Sequence, residues 1–312
     1  MQPPASFMDA YRPSLRGRRH MTAAGHYLAA QASFQVMEAG GNAIDGGVAA
    51  GMALGVVQSE LVGVAGVAPI IIYSAEEDRV VTISGLGTWP AATDPEFFTR
   101  EYPDSVPEGI LRCIVPGAPA AWIMALERYG SMTFGEVASA SIKLARDGFA
   151  MYALMAELLA EKAEKYARWD ANAEIYLPGG HSPKVGENFR QEDLGRSLQY
   201  MADCEAAAGG DRIAGLRAAR DAFYKGDIAR KISTYHEDNG GLIRMEDLAS
   251  FEVEVEDALR IDVAGTKVYS CGPWCQGPML LQIMQLLQGQ NLSGMGHNSA
   301  AYIHHVTEAV KL

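Results

Sequence analysis

Cysteine is scarce, with four in 312 residues, too few for the disulfide framework of a small secreted scaffold. Positive charge is in deficit as well. Lys and Arg number 26 against 38 Asp and Glu, a formal net charge of −12. That balance repels the phosphates of nucleic acid and anionic lipid, so neither is an expected partner. No apolar run is both long and unbroken. The longest, Ala43 to Tyr73, is interrupted by Gln58, Ser59 and Glu60 and later by Pro69, and a bilayer span does not place a carboxylate at its centre. Met1 to His20 carries Arg12, Arg16, Arg18 and Arg19 with no apolar segment behind them, unlike a signal peptide. These absences lead to the expectation of a soluble, cytoplasmic chain.

Local catalytic motifs are missing too. There is no GxGxxG after a strand, no GxxxxGK[ST], no GxSxG and no HExxH. Gly63-Val64-Ala65-Gly66 has backbone N–H groups that could cradle an anion, but without a neighbouring Lys a tight turn is the favoured reading. His304, His305 and Glu308 fall on one expected helix, with His304 and Glu308 at i,i+4, a spacing at which two ligands can share a metal. His297 is the only further candidate nearby, and a surface His pair is favoured over a metal site. Cys271 and Cys275 flank Gly272-Pro273-Trp274 with no second pair at zinc spacing, which favours structural thiols over ligands or a nucleophile. No cofactor, no metal and no complete catalytic constellation are expected from these residues.

What the chain does have is core-forming material. Hydrophobic residues make up 48% and charged residues 21%, which excludes wholesale disorder. Glycine is in excess, 33 residues or about 11% against roughly 7% in ordinary proteins. Tyr27 to Ala39 is expected to be a helix with Leu28, Phe34 and Met37 among its apolar positions, stopped by Gly40-Gly41. Asn42 caps a second helix to Val57, rich in Gly and Ala. Each Gly there costs about 1 kcal/mol relative to Ala, so close packing in a buried layer must offset it. Pro69–Tyr73 and Arg79–Ile83 form a hairpin across Ser74 to Asp78; Arg260–Val263 and Lys267–Ser270 form another across Ala264-Gly265-Thr266. Glu252 to Glu256 alternates as a strand with one wet face. Pro119 to Tyr129 is a helix ending at Gly130, and Thr133 with Glu136 boxes the start of another that runs to Arg146. Met155 to Trp169 carries Glu161–Lys165 and Glu164–Arg168 pairs, as an exposed helix should. Ala171 to Gln191 reads as a long loop. The order of elements predicts mixed α+β with antiparallel sheets and no βαβ alternation.

Several segments in order resemble the large subunit of the γ-glutamyltransferase family of N-terminal-nucleophile amidohydrolases. They are Met21-Thr22-Ala23-Ala24 through Gly40-Gly41-Asn42-Ala43-Ile44-Asp45; Val115-Pro116-Gly117 into Trp122 and Arg128-Tyr129-Gly130; Phe223-Tyr224-Lys225-Gly226-Asp227-Ile228-Ala229; Gly240-Gly241-Leu242 with Asp247-Leu248; Gly272-Pro273 to Leu287; and Glu308-Ala309-Val310-Lys311. The blocks span nearly the whole chain. The resemblance implies the family's αββα sandwich, the Ntn-hydrolase fold with antiparallel sheets between helical layers. It makes residues 21–312 the large (alpha) subunit and residues 1–20 an N-terminal extension.

The same resemblance implies a mechanism. A precursor cuts itself ahead of a Thr, which becomes the N-terminus of a separate small subunit; its hydroxyl is the nucleophile and its own amine the base. The family's cleavage point lies beyond the E-A-x-K helix, so the nucleophile is expected on that partner and no catalytic residue is expected here. The heterodimer is open to further oligomerisation.

The departures concern substrate. The family's carboxylate-binding Arg stands in a short loop after the first hairpin, where this chain has Gly85, Leu86, Gly87, Thr88 and Trp89, with Leu86 at the Arg position. These five are the expected substrate-binding residues. An apolar side chain cannot replace a bidentate guanidinium–carboxylate pair; Arg112 is the candidate for supplying that charge from elsewhere. The Ser-Ser-Gly-Gly turn has become Cys275-Gln276-Gly277-Pro278, and the Gly-rich loop has become Val62 to Ala68. The expected function is hydrolysis or acyl transfer at a small amide other than a γ-glutamyl compound. A catalytically inactive family member acting as scaffold or binding subunit is the alternative, and a metal-dependent hydrolase using His304, His305 and Glu308 is a third reading.

Overall fold

The computed structural model describes residues 15–312, so Arg12 and most of the expected extension lie outside the described residues. Helix α1 (Tyr27–Glu38) starts where His26 Nδ1 accepts the Leu28 N–H. Its inner face is small: Ala29, Ala32, Ser33, Val36 and Met37 are buried, whereas Phe34 is 47% exposed. The narrow face lets α2 (Ala43–Val57) lie close. Asn42 caps α2 by accepting from Ile44 N and Asp45 N, and the Asp45 carboxylate accepts the Asn42 N–H in return. The glycines of α2 are contact points. A Cβ on Gly46 would sit 2.9 Å from Ser33 Oγ of α1, and one on Gly51 would sit 3.0 Å from Trp122 Nε1. Glu60, which breaks the apolar tract, accepts the Tyr152 hydroxyl.

The first hairpin forms as expected. Strands β1 (Ile70–Ser74) and β2 (Arg79–Ile83) pair antiparallel with Ile70 opposite Ile83. Alternation in the 252–256 segment is also real, since Phe251 and Val253 are buried. Only β5 (Val255–Asp257) pairs, however, because β2 ends at Ile83, the partner of Val255. The resulting sheet has the order β1-β2-β5. The second hairpin is β6 (Leu259–Val263) and β7 (Thr266–Ser270). Its turn residues Ala264 and Gly265 both have positive φ, at 49° and 78°, so the turn twists with its strands.

Helices α4 (Ala118–Tyr129) and α5 (Phe134–Asp147) follow a surface helix α3 (Pro95–Glu101). Val48, Met52 and Val56 of α2, Val81 and Ile83 of β2, and Ala121 and Ala125 of α4 share one core. α5 packs on α2 and on the later helix α9 (Glu192–Ala207), which in turn packs on α10 (Arg212–Tyr224).

Two expectations fail between α5 and α9. The 155–169 helix is two pieces, α6 (Ala153–Glu161) and α7 (Ala163–Tyr166), broken at Lys162. Its i,i+4 pairs do not form. Lys165 and Arg168 instead share the Glu108 carboxylate at 2.5 and 3.5 Å, while Tyr166 turns onto Tyr176 with ring centroids 5.0 Å apart. The 171–191 stretch is no structureless loop either. It contains α8 (Asp170–Tyr176) and β4 (Asn188–Phe189), which pairs with β3 (Phe149–Ala150). Phe189 is buried against Phe149 and stacked on Tyr176; that apolar anchor is what orders the segment. After α10 come α11 (Asp227–Asp238), α12 (Met245–Ser250), α13 (Gly277–Leu287) and α14 (Ala300–Lys311). Among the described residues no helix is long and apolar enough to cross a membrane.

Two buried carboxylates organise the helical layer. Glu205 of α9 accepts from Phe134 N and Gly135 N at 2.6 and 2.7 Å, satisfying the first-turn donors of α5. Asp45 is completely buried and has no cation beside it among its hydrogen-bond partners. It accepts from Asn42 N, Ser131 N, Ser131 Oγ and Met132 N, at distances of 2.7–3.2 Å. The carboxylate therefore ties the start of α2 to the α4–α5 turn. Asp45→Asn would set an NH2 donor against those donors, and leaving them unsatisfied costs on the order of 2–4 kcal/mol. Urea unfolding should show a lowered midpoint of that size, with Ser131→Ala losing only about 1 kcal/mol. An unchanged midpoint for Asp45→Asn would remove this carboxylate from the account.

Candidate substrate-binding loop

The five expected pocket residues follow β2 directly and form a loop held by backbone contacts. Gly85 O accepts the Ala68 N–H at 2.9 Å, and Thr88 O accepts the Val115 N–H at 2.9 Å. Gly85 has φ of +50°, a region that favours glycine. There is no room for a side chain at either glycine: a Cβ on Gly85 would collide with Ala68 O, and one on Gly87 with Val115 O. Of the five residues, Gly85 is buried, Leu86 and Gly87 are half-buried, and Thr88 and Trp89 face solvent. Trp89 is 48% exposed, and its ring lies 6.1 Å from that of Phe98 on α3.

The far end of the loop is anchored by a residue distant in sequence. Ala91 N donates to Asp247 Oδ1 at 2.8 Å, while Asp247 Oδ2 accepts the Arg244 N–H and boxes the start of α12. α12 is itself placed by His236, which is 5% exposed and whose Nδ1 accepts the Ile243 N–H at 3.4 Å. Burial, then the nearby Arg244 charge, lowers the His236 pKa below its ordinary 6.5. The ring is held neutral, as its acceptor role requires.

A second anchor lies beneath the loop. The buried Tyr224 hydroxyl donates to Pro116 O at 2.6 Å and accepts the Ala120 N–H at 3.2 Å; its burial raises the pKa and keeps the phenol protonated. This fixes the 115–118 turn on which Thr88 rests. Gly117 N and Ala118 N of that turn donate to Gly66 O, and Gly66 N donates to Gly63 O at 3.0 Å. The 63–66 segment is thus a tight turn, not an anion cradle. Tyr224 and Asp247 are the residues that sequence reasoning missed. Both sat in quoted blocks, but nothing local says what they hold.

The remaining candidates are placed elsewhere. Arg112, considered as the source of a missing positive charge, donates Nε to Pro107 O at 3.1 Å and Nη2 to Val106 O at 2.6 Å, so its guanidinium is engaged by backbone carbonyls. His304 Nδ1 is 3.9 Å from Glu308 Oε1, but that oxygen already accepts Lys311 Nζ at 2.7 Å. His305 Nδ1 lies 2.9 Å from Ala301 O. Among the described residues, no group of three or more His, Cys, Asp or Glu side chains converges as a metal site. Cys271 and Cys275 are free and half-buried rather than fully enclosed.

The chain is helix-rich α+β with short antiparallel sheets, and its likeness to solved structures gives the class: the large-subunit part of an N-terminal-nucleophile hydrolase. It superposes on the crystal structure of Helicobacter pylori gamma-glutamyltranspeptidase with a TM-score of 0.86 and 28% identity, covering 96% of this chain and 83% of that one. The family model described as gamma-glutamyltranspeptidase matches residues 29–312, and the chain belongs to that family. Similar curated proteins include the acylase ACY 1 proenzyme of Pseudomonas sp. (strain SE83), 31% identical over 99% of this chain and 54% of that protein. The glutathione hydrolase proenzyme of Escherichia coli (strain K12) is 30% identical over 99% of this chain and 52% of that protein. The chain spans about half the length of the curated relatives it matches.

Two outcomes check this geometry. Gly87→Ala forces its Cβ against Val115 O and should destabilise the chain by about 1–3 kcal/mol; a neutral result would mean that the loop is not clamped. For His236, a depressed folded pKa means that below about pH 6.5 the unfolded chain binds a proton that the folded chain refuses. Its stabilisation is complete above pH 6.5 and is lost as pH falls toward the folded pKa. The melting temperature should drop between pH 7.5 and pH 5.5, and His236→Asn should flatten that drop. An unchanged slope in His236→Asn would contradict the assignment.

Proposed function

We propose that this chain is the large, non-nucleophilic part of an amide hydrolase or acyltransferase, with residues 21–312 as the subunit and the first twenty residues as an extension. In this reading a precursor cleaves itself to expose a Thr on a small subunit. The Thr hydroxyl attacks a substrate amide, an acyl-enzyme forms, and water or an amine takes the acyl group. The family assignment supports this, as do the proenzyme relatives of roughly twice the length. Surface character supports a partner as well. β1 has no strand on its outer edge among the described residues, with Ile71 and Tyr73 48% and 61% exposed, and such an apolar edge calls for cover. Between β1 and α2 runs an apolar groove of about 530 Å³, and α13 leaves Met279, Leu280 and Leu286 exposed.

The substrate reading takes Leu86 to stand at the position of the family's carboxylate-binding Arg, and the engagement of Arg112 by Pro107 O and Val106 O supports it. Gly85 to Trp89 then form one wall of a site that selects an uncharged acyl group. A small amide such as an acylase would accept fits better than a γ-glutamyl donor. The test is steady-state kinetics of the natively purified enzyme on a γ-glutamyl anilide. Wild type should turn it over poorly, and Leu86→Arg should raise kcat/KM by on the order of tenfold or more, since a bidentate charge-assisted pair contributes about 1.5–3 kcal/mol. Efficient use of the anilide by wild type would overturn the substrate reading.

A further inference from the structure

The turn between β7 and α13 brings two thiols together for which the proposed chemistry has no use. Cys275 N donates to Gly272 O at 3.2 Å, closing a four-residue turn. The chain then folds back so closely that a Cβ on Gly277 would collide with the Cys271 carbonyl. Cys271 and Cys275 therefore flank one tight turn, and Cys275 is near enough to be among the groups that raise the Cys271 pKa. Trp274 Nε1 donates to Glu256 Oε2 at 2.8 Å, pinning the turn to β5. The other cysteines have no such neighbour: Cys113 is exposed beside Gly109 O, and Cys204 lies on α9 beside Tyr200.

We propose that Cys271 and Cys275 form a reversible dithiol–disulfide clasp at the β7–α13 corner, closed by low-molecular-weight disulfides of the glutathione type. Burial first, then Cys275 and Glu256, raise the Cys271 pKa to about 11, so Cys271 stays a thiol at neutral pH and Cys275 starts the exchange. The Cys275 thiolate attacks one sulfur of the small disulfide and expels a thiolate, which takes up a proton. Cys271 then loses its proton, attacks the Cys275 sulfur and expels the second small thiolate. Two protein thiols are oxidised, one disulfide is reduced to two thiols, and both protons end on the released thiols. The second attack is intramolecular, and closure should quicken as pH rises toward the Cys271 pKa. The clasp would fix the first turn of α13, whose apolar face is exposed.

The experiment is to reduce the natively purified protein, incubate it with glutathione disulfide, alkylate it, and read intact mass and bridged peptides. The expected result is loss of two alkylatable thiols with a peptide joining Cys271 to Cys275, opened again by dithiothreitol. Cys271→Ser should instead accumulate a stable glutathione adduct on Cys275. A wild-type protein that keeps glutathione on Cys275 without bridging would overturn the proposal. So would one in which both thiols of the pair remain alkylatable while Cys113 reacts.

Discussion

Helix α4 is held at both ends by polar side chains, of which Tyr224 and Asp45 are buried, and the placement of the candidate loop depends on that. At its start, the Tyr224 hydroxyl bridges Pro116 O and Ala120 N. At its end, Asn42 Nδ2 donates to Tyr129 O at 2.7 Å, and the Asp45 carboxylate gathers the donors of Ser131 and Met132. Arg212 of α10 adds hydrogen bonds to Leu126 O and Met132 O. Buried polar groups such as Tyr224 and Asp45 stabilise only when fully satisfied, which is why they specify one arrangement of helices. Thr88 and Gly66 rest on the turn that opens α4, so the loop inherits its position from this frame.

Much of the fold was legible because its signals are local. The Asn42 cap, the Thr133–Glu136 box and the Ala264-Gly265 turn each place an element from a few adjacent residues. Misreadings came where a distant partner decided the outcome. β4 exists because Phe189 finds Phe149 and Tyr176, and the 155–169 helix breaks while its cations leave their i,i+4 partners for Glu108. Intrinsic pairings of a few tenths of a kcal/mol lose readily to such tertiary contacts.

The candidate site shows the same division. Gly85 to Trp89 could be found as a loop after a hairpin, and the resemblance supplied its significance. Its supports could not be read, since Asp247 reaches back 156 residues to Ala91 and Tyr224 reaches back 108 to Pro116. Those distances also explain why the short blocks, scattered along the chain, belong to one unit. Tyr224 of the third block holds Pro116 of the second, and Asp247 of the fourth holds the loop that carries Leu86. The blocks are weak as motifs and strong as contacts.

Whether this frame serves catalysis turns on what accompanies it. Intact-mass spectrometry of the natively purified protein, with N-terminal sequencing of whatever co-purifies, addresses that directly. The account predicts a second, stoichiometric chain beginning with Thr, seated on the apolar edge of β1 and the exposed face of α13. A native protein consisting of this chain alone, with no Thr-initiated companion, would contradict it.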